Sequence, residues 1–290
     1  MDEICILLEN ETHLARLYPL RGGKIGSFLH KPSGFELLQP PKDGYPPLSP
    51  GMPFDKGDAS GFDDVFPSMG GDGWRTKEGF VPLPDHGEIW TMPMRARTED
   101  GAVHLTGEGA ALPYAYEKTV RLEGDTLRCS YRIANTGDGP IPAIWVCHCL
   151  MRYEPGAWFD FPAECGRMID LYPGKGALRD RPAGGWNALL PPPPGKAMKF
   201  YFTDPVRQGR CAVRYRESGM TAEMTYDEAA LPWLGFWITT GGYRGDLNFA
   251  FEPASAYCDT VPAAMESGRL RVLQPGEALA FELSIRLCRM

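Results

Sequence analysis

The sequence predicts an all-β protein, a large antiparallel β-sandwich, and three observations predict it. Period-two alternation recurs along the chain. Near the C-terminus Leu279, Phe281, Leu283, Ile285 and Leu287 alternate with Ala280, Glu282, Ser284 and Arg286, which puts the apolar set on one face of a strand. Glycine-containing turn pairs fall between such runs. Helical periodicity is scarce, with one short candidate at residues 261–267.

Taken in order, strands are expected at residues 4–8, 13–18 and 24–29. Runs at 94–98 and 103–106 flank Asp100-Gly101. Runs at 120–122 and 127–133 flank Gly124-Asp125. Asp138-Gly139 precedes an apolar run at 141–150, and Pro275-Gly276 introduces the final strand. Glycine in such pairs supplies the positive φ that a tight turn needs. Further strands are expected at 197–203, 211–216, 221–226, 233–239 and 247–251. No linker or composition break divides the chain, so residues 1–290 are expected to form a single domain. Two stretches read as long loops, 40–60 and 173–197, the second with four consecutive prolines, Pro191 to Pro194. Such loops are either walls around a site or solvated excursions.

Charge and composition narrow the partners. The net charge is −7, with no basic run, which argues against nucleic acid. The opening Met1-Asp2-Glu3-Ile4-Cys5 is acidic where a signal peptide is positive, and no segment approaches the ~20 apolar residues of a membrane span. The eight Cys contain no CxxC pair, so reduced thiols in a cytoplasm are the simplest reading. A small-molecule ligand is expected, with no membrane partner, for a monomer or homodimer.

Five histidines are present, and two stand out. His148 lies in Ile144-Trp145-Val146-Cys147-His148-Cys149-Leu150, where both alternating faces are apolar, so the strand is expected to be central and covered on both sides. A histidine there is either a core residue bonded to a backbone carbonyl or a site residue, and burial would depress its pKa. His86, in Asp85-His86-Gly87-Glu88, either rims a cleft or sits beside a plain turn. In Leu247-Asn248-Phe249-Ala250-Phe251-Glu252-Pro253 the large residues share one face and Asn248, Ala250 and Glu252 the other. That pattern describes a strand ending in a carboxylate at a cleft, with Pro253 expected to stop the strand; an exposed edge glutamate is the alternative. Trp237, close to Gly235 on an aromatic strand, is either a platform for the C–H face of a sugar or ordinary core. Asp63-Asp64 is either a carboxylate pair or a loop before Val65. The Cys147-His148-Cys149 triplet does not make a metal site, because on a strand its thiols and imidazole point to opposite faces.

The order of these residues resembles the aldose 1-epimerase, or galactose mutarotase, family. The likeness rests on the glycine-rich Gly22-Gly23-Lys24-Ile25-Gly26-Ser27 segment and the His86-Gly87 pair. It continues in the rise from Asn135 to His148, and in Glu252-Pro253 with the later Pro275-Gly276-Glu277 turn. The resemblance implies a large galactose mutarotase-like sandwich. It also implies an isomerase that interconverts the α and β anomers of an aldose without metal or cofactor. It makes Glu252 the general base, His148 the general acid and His86 a substrate-orienting residue. Asp64, Arg95 and Trp237 are further candidate substrate contacts.

One departure stands out. The family's sugar-contacting arginine has no counterpart in Ser60-Gly61-Phe62-Asp63-Asp64-Val65-Phe66-Pro67, and Arg75, Arg95 or Lys24 would have to replace it. Three other readings follow. One is a non-catalytic sugar binder of the same fold. One is a glycan-cleaving enzyme using Asp64 with Glu252. One is an epimerase of phosphorylated sugars drawing on Arg75, Lys77, Arg95 and Arg97.

Overall fold

A computed structural model describes residues 4–174 and 176–290. Met1-Asp2-Glu3 of the acidic N-terminal stretch and Lys175 of the second long loop lie outside the described residues. The chain folds into two large antiparallel sheets, one of twelve strands and one of eight, with two small two-stranded ribbons. The centre of the larger sheet runs Lys24–His30, Phe62–Val65, Val146–Cys149, Leu247–Ala254, Trp233–Thr240, Ala197–Phe202 and Arg167–Tyr172. The smaller sheet is built around Met220–Tyr226, Ala278–Arg289, Thr126–Asn135 and Tyr114–Glu123.

Strand alternation sorts the larger sheet into two faces. Phe200, Phe236 and Phe251 stand in register across three neighbouring strands, with Phe249 two residues along. They face inward, where Phe159 of the smaller sheet meets Phe236 and Phe249 at ring centroids of 5.2 and 4.9 Å. The opposite face carries the other parity: Lys199 opposite Trp237 opposite Ala250, and Tyr201 opposite Gly235 opposite Glu252. Burying the aromatic set is the main driving force for stacking the sheets. It commits the small and polar set to the outer face.

The hairpins at Asp100-Gly101 and Gly124-Asp125 form where expected, with φ of +48° and +71° at the first pair and +59° at Gly124. Gly139 is not in a positive-φ conformation; that corner is instead tied by Asn135, whose side-chain NH₂ donates to the Gly139 carbonyl at 2.8 Å. The short helix spans Val261–Glu266, capped by Thr260.

Three expectations need correction. The 141–150 run is broken into two short strands, Ile141–Pro142 and Val146–Cys149, with a third, Met151–Arg152, just beyond it. Residues 62–65 are a strand and not a loop. Pro253 does not end its strand, which continues to Ala254. On that side the ladder partners pair only at Asn248, Phe249 and Ala254, so the missing N–H at Pro253 leaves no bond unmade. All eight thiols are free, and no helix among the described residues is long and apolar enough to cross a membrane.

Candidate active site

A hollow of 270 Å³ opens on the outer face of the larger sheet. Its floor comes from the polar parity of the central strands: His148, Asn248, Glu252, Trp237 and Lys199. Its wall comes from loops: Phe54 and Ala59 from the 40–60 stretch, Asp85 and His86, Tyr243, and Asp259. Phe54, Ala59 and Trp90 form a small apolar cluster of their own with Leu48, Met52 and Tyr243, which fixes that wall. The first long loop is therefore a wall of the hollow. The described part of the second, 173–174 and 176–197, does not line it.

Glu252 ends the floor, with its side chain 1% exposed and its Oε2 3.1 Å from the Lys199 ammonium. The same ammonium lies 3.1 Å from Asp259 Oδ2. Burial raises the Glu252 pKa, Lys199 works against this, and Asp259 adds to it; the result is a carboxyl pushed up to about 7. Lys199 itself is held well into its charged state, because the attraction of Asp259 and Glu252 outweighs its own burial. Gly235 makes the arrangement fit: a Cβ there would stand 2.9 Å from the Tyr201 ring and 3.0 Å from Glu252 Oε2.

His148 lies across the hollow on the next strand. Its Nδ1 is buried without a hydrogen-bond partner among the described residues, and the residue lines the hollow. Burial first, then His86 and Lys199, push its pKa well below the ordinary histidine value. His86 stands edge-on to it at 5.1 Å between centroids and stacks flat on Phe54 at 3.9 Å. The His86 Nδ1 lies 2.9 Å from Asp85 Oδ1, and the residue adopts a left-handed φ of +58°, a strained conformation that an imidazole aimed into a cleft explains. Burial of Asp85 would raise its pKa, but the bond to His86 and its charge lower it overall.

Four of the six site residues expected from sequence thus meet at one hollow: Glu252, His148, His86 and Trp237. Asp64 and Arg95 do not. Asp64 has the opposite parity from Asp63 and points between the sheets, where Lys118 meets it at 2.6 Å and the Tyr131 hydroxyl donates to it at 3.1 Å. Arg95 belongs to an edge strand of the other sheet in which every residue is exposed, and its side chain pairs loosely with Glu108 at 3.4 Å. Lys24 does not reach the hollow either: its ammonium is buried between Asp58 at 2.7 Å and Asp63 at 2.8 Å.

The residues missed are Lys199, Asp259, Phe54, Asp85, Asn248 and Tyr243. Lys199 carried a usable signal, since Ala197, Lys199 and Tyr201 alternate with Met198, Phe200 and Phe202 as the Glu252 strand alternates. Among the described residues no group of three or more His, Cys, Asp or Glu is placed to hold a metal.

With this geometry in view, comparison with known proteins gives the family. A family described as "Domain of unknown function (DUF4432)" matches residues 104–287. The chain belongs to it. The DUF4432 match takes in His148, Lys199, Glu252 and Asp259 and begins after His86. No curated protein matches the chain. Among solved structures it is similar to the Slr1438 protein of Synechocystis sp. PCC 6803, at 19% identity and TM-score 0.79, covering 100% of this chain and 97% of that one. It is also similar to an Escherichia coli K12 protein described as a candidate aldose 1-epimerase, at 16% identity, TM-score 0.76 and 99% coverage of each. A galactose mutarotase-like protein of Lactobacillus casei ATCC 334 aligns at 16% identity and TM-score 0.74, over 98% of this chain and 100% of that one. The chain therefore has the galactose mutarotase-like fold, as its ordered motifs implied.

Proposed function

We propose that this protein interconverts the α and β anomers of an unphosphorylated aldose, with residues 1–290 acting as one domain. The observation that carries this reading is the meeting of Glu252, His148 and His86, distant in sequence, around one sugar-sized hollow. The fold it shares with the Escherichia coli and Lactobacillus casei proteins supports it.

The chemistry needs two proton carriers and no redox partner. The Glu252 carboxylate takes the proton from the C1 hydroxyl. The C1–O1 bond becomes a carbonyl as the C1–O5 bond breaks, and O5 takes a proton from the His148 imidazolium. The aldehyde turns about C1–C2, and the steps reverse on its other face. Each well-placed group typically contributes ~10²–10⁴-fold. The pair works with one proton between its members. In the empty site that proton rests on Glu252, whose pKa is the higher of the two, so the reacting form is the minor tautomer. Charge developing on O5 favours moving it to His148.

Electrostatics supports a substrate without phosphate. Lys199 is the one lysine or arginine among the described lining residues, and two carboxylates already face it. Arg75, Lys77, Arg95 and Arg97 all lie outside the hollow. The glycan-cleaving reading loses its partner, because Asp64 is sealed between the sheets.

The test is a panel of free and phosphorylated aldoses followed by saturation transfer between the two anomeric proton signals. Exchange above the buffer rate for at least one free aldose is the expected result. Binding without accelerated exchange across the panel would replace the reading with that of a sugar-binding protein.

A further inference from the structure

Three aromatic rings stand in succession from the hollow to a ring outside it. Tyr243 lines it and stands edge-on to Trp237 at 5.7 Å between centroids. Trp237 meets the ring of Tyr172 at 6.5 Å with the planes tilted by 45°. Strand register accounts for this: Tyr172 is opposite Lys199, which is opposite Trp237, all on the outer face. Tyr172 is 51% exposed and is not part of the hollow. It lines instead a separate depression of 450 Å³ with Pro192, Pro193, Lys196 and Gly242. Gly242 adjoins Tyr243, so the depression and the hollow share a wall.

From this placement, and resting on the proposed activity, we infer that the site takes a saccharide of at least two units. The reducing-end ring occupies the hollow and a second ring lies on Tyr172. The Tyr172 strand lies three strand spacings from that of Glu252, roughly 14 Å, which exceeds one pyranose ring. His148 is on the other side of Glu252, so the reacting carbon sits at the end away from Tyr172. A substituent that reaches Tyr172 therefore leaves the reducing ring from the side opposite C1, as a 1,4-linkage does. A tyrosine ring offers the apolar face of a sugar a flat partner and keeps its hydroxyl wetted, which suits an exposed position.

The experiment compares anomer exchange at the reducing end of 1,4-linked disaccharides with exchange in the matching monosaccharide: cellobiose and maltose against glucose, and 4-galactobiose against galactose. A disaccharide KM roughly tenfold lower is expected, about what one good aromatic contact supplies. Tyr172→Ala should erase the difference and Tyr172→Phe should keep it. No disaccharide advantage, or one that survives Tyr172→Ala, overturns the inference. If no sugar exchanges above background, the proposed activity has failed, and tryptophan-fluorescence titration with the same sugars decides the subsite. Tighter disaccharide binding that depends on Tyr172 upholds it, and anything else overturns it.

Discussion

The Lys199 ammonium stands 3.1 Å from the Glu252 carboxylate and is held there by a second carboxylate, Asp259, at the same distance. This triad sets how readily the proposed base gives up its proton. Removing the cation in Lys199→Met leaves Glu252 with burial and Asp259, both of which raise its pKa. The alkaline limb of the kcat/KM profile should then move to higher pH. Asp259→Asn removes a raising influence and should move the same limb down. Rate profiles of the two variants that shift in the same direction would contradict the triad.

The wild-type profile follows from the same proton count. The pair is competent with one proton between its members. As pH rises through about 7, Glu252 loses that proton while His148 is already neutral, and kcat/KM should fall about tenfold per unit. As pH falls below the depressed value of His148, a second proton arrives and the rate falls again. The acid limb should therefore lie below the ordinary histidine range. A rate still climbing above pH 8 would be inconsistent with this pair.

Gly235 is the prediction in sterics. A methyl group at this position meets the Tyr201 ring at 2.9 Å and Glu252 Oε2 at 3.0 Å. Gly235→Ala should displace the carboxylate and lower kcat by one or more orders of magnitude, since small misplacements cost on the order of 10²-fold. Circular dichroism should stay native. Full activity in this variant would mean that Glu252 has room to spare.

Stability should depend on the buried ions around Lys24. Lys24 is fully buried between Asp58 and Asp63. Replacing it with Met strands the Asp63 carboxylate and leaves Asp58 with Arg21, at 3.7 Å, as its cation; it should cost about 3–5 kcal/mol, read as a shift in the midpoint of urea unfolding. A change under 1 kcal/mol would show that the cation is dispensable there.

The sandwich was legible because burying the aromatic face of each strand forces period two into the sequence, and the runs at 127–133 and 279–287 keep that period without interruption. Glu252 was legible for the same reason, as the charged end of a small polar face. Lys199 sits on an equivalent face, but a lysine on a strand reads as solvated, and only the neighbouring strands reveal its partners. Asp259, Phe54 and Tyr243 lie in loops, where no period marks which way a side chain turns. Asp63 and Asp64 look alike in sequence yet face opposite sides of one strand, one toward Lys24 and one toward Lys118. Arg95 was a choice by charge alone, and its edge position in the second sheet excludes it.

The most direct measurement is anomer exchange by saturation-transfer NMR in Glu252→Gln, on the aldose that the wild-type protein turns over fastest. The amide keeps the shape of the carboxylate and removes its basicity. Exchange should drop to the buffer rate while the sugar still binds. Exchange that persists near the wild-type rate would contradict the assignment of Glu252 and the reading of the hollow built on it.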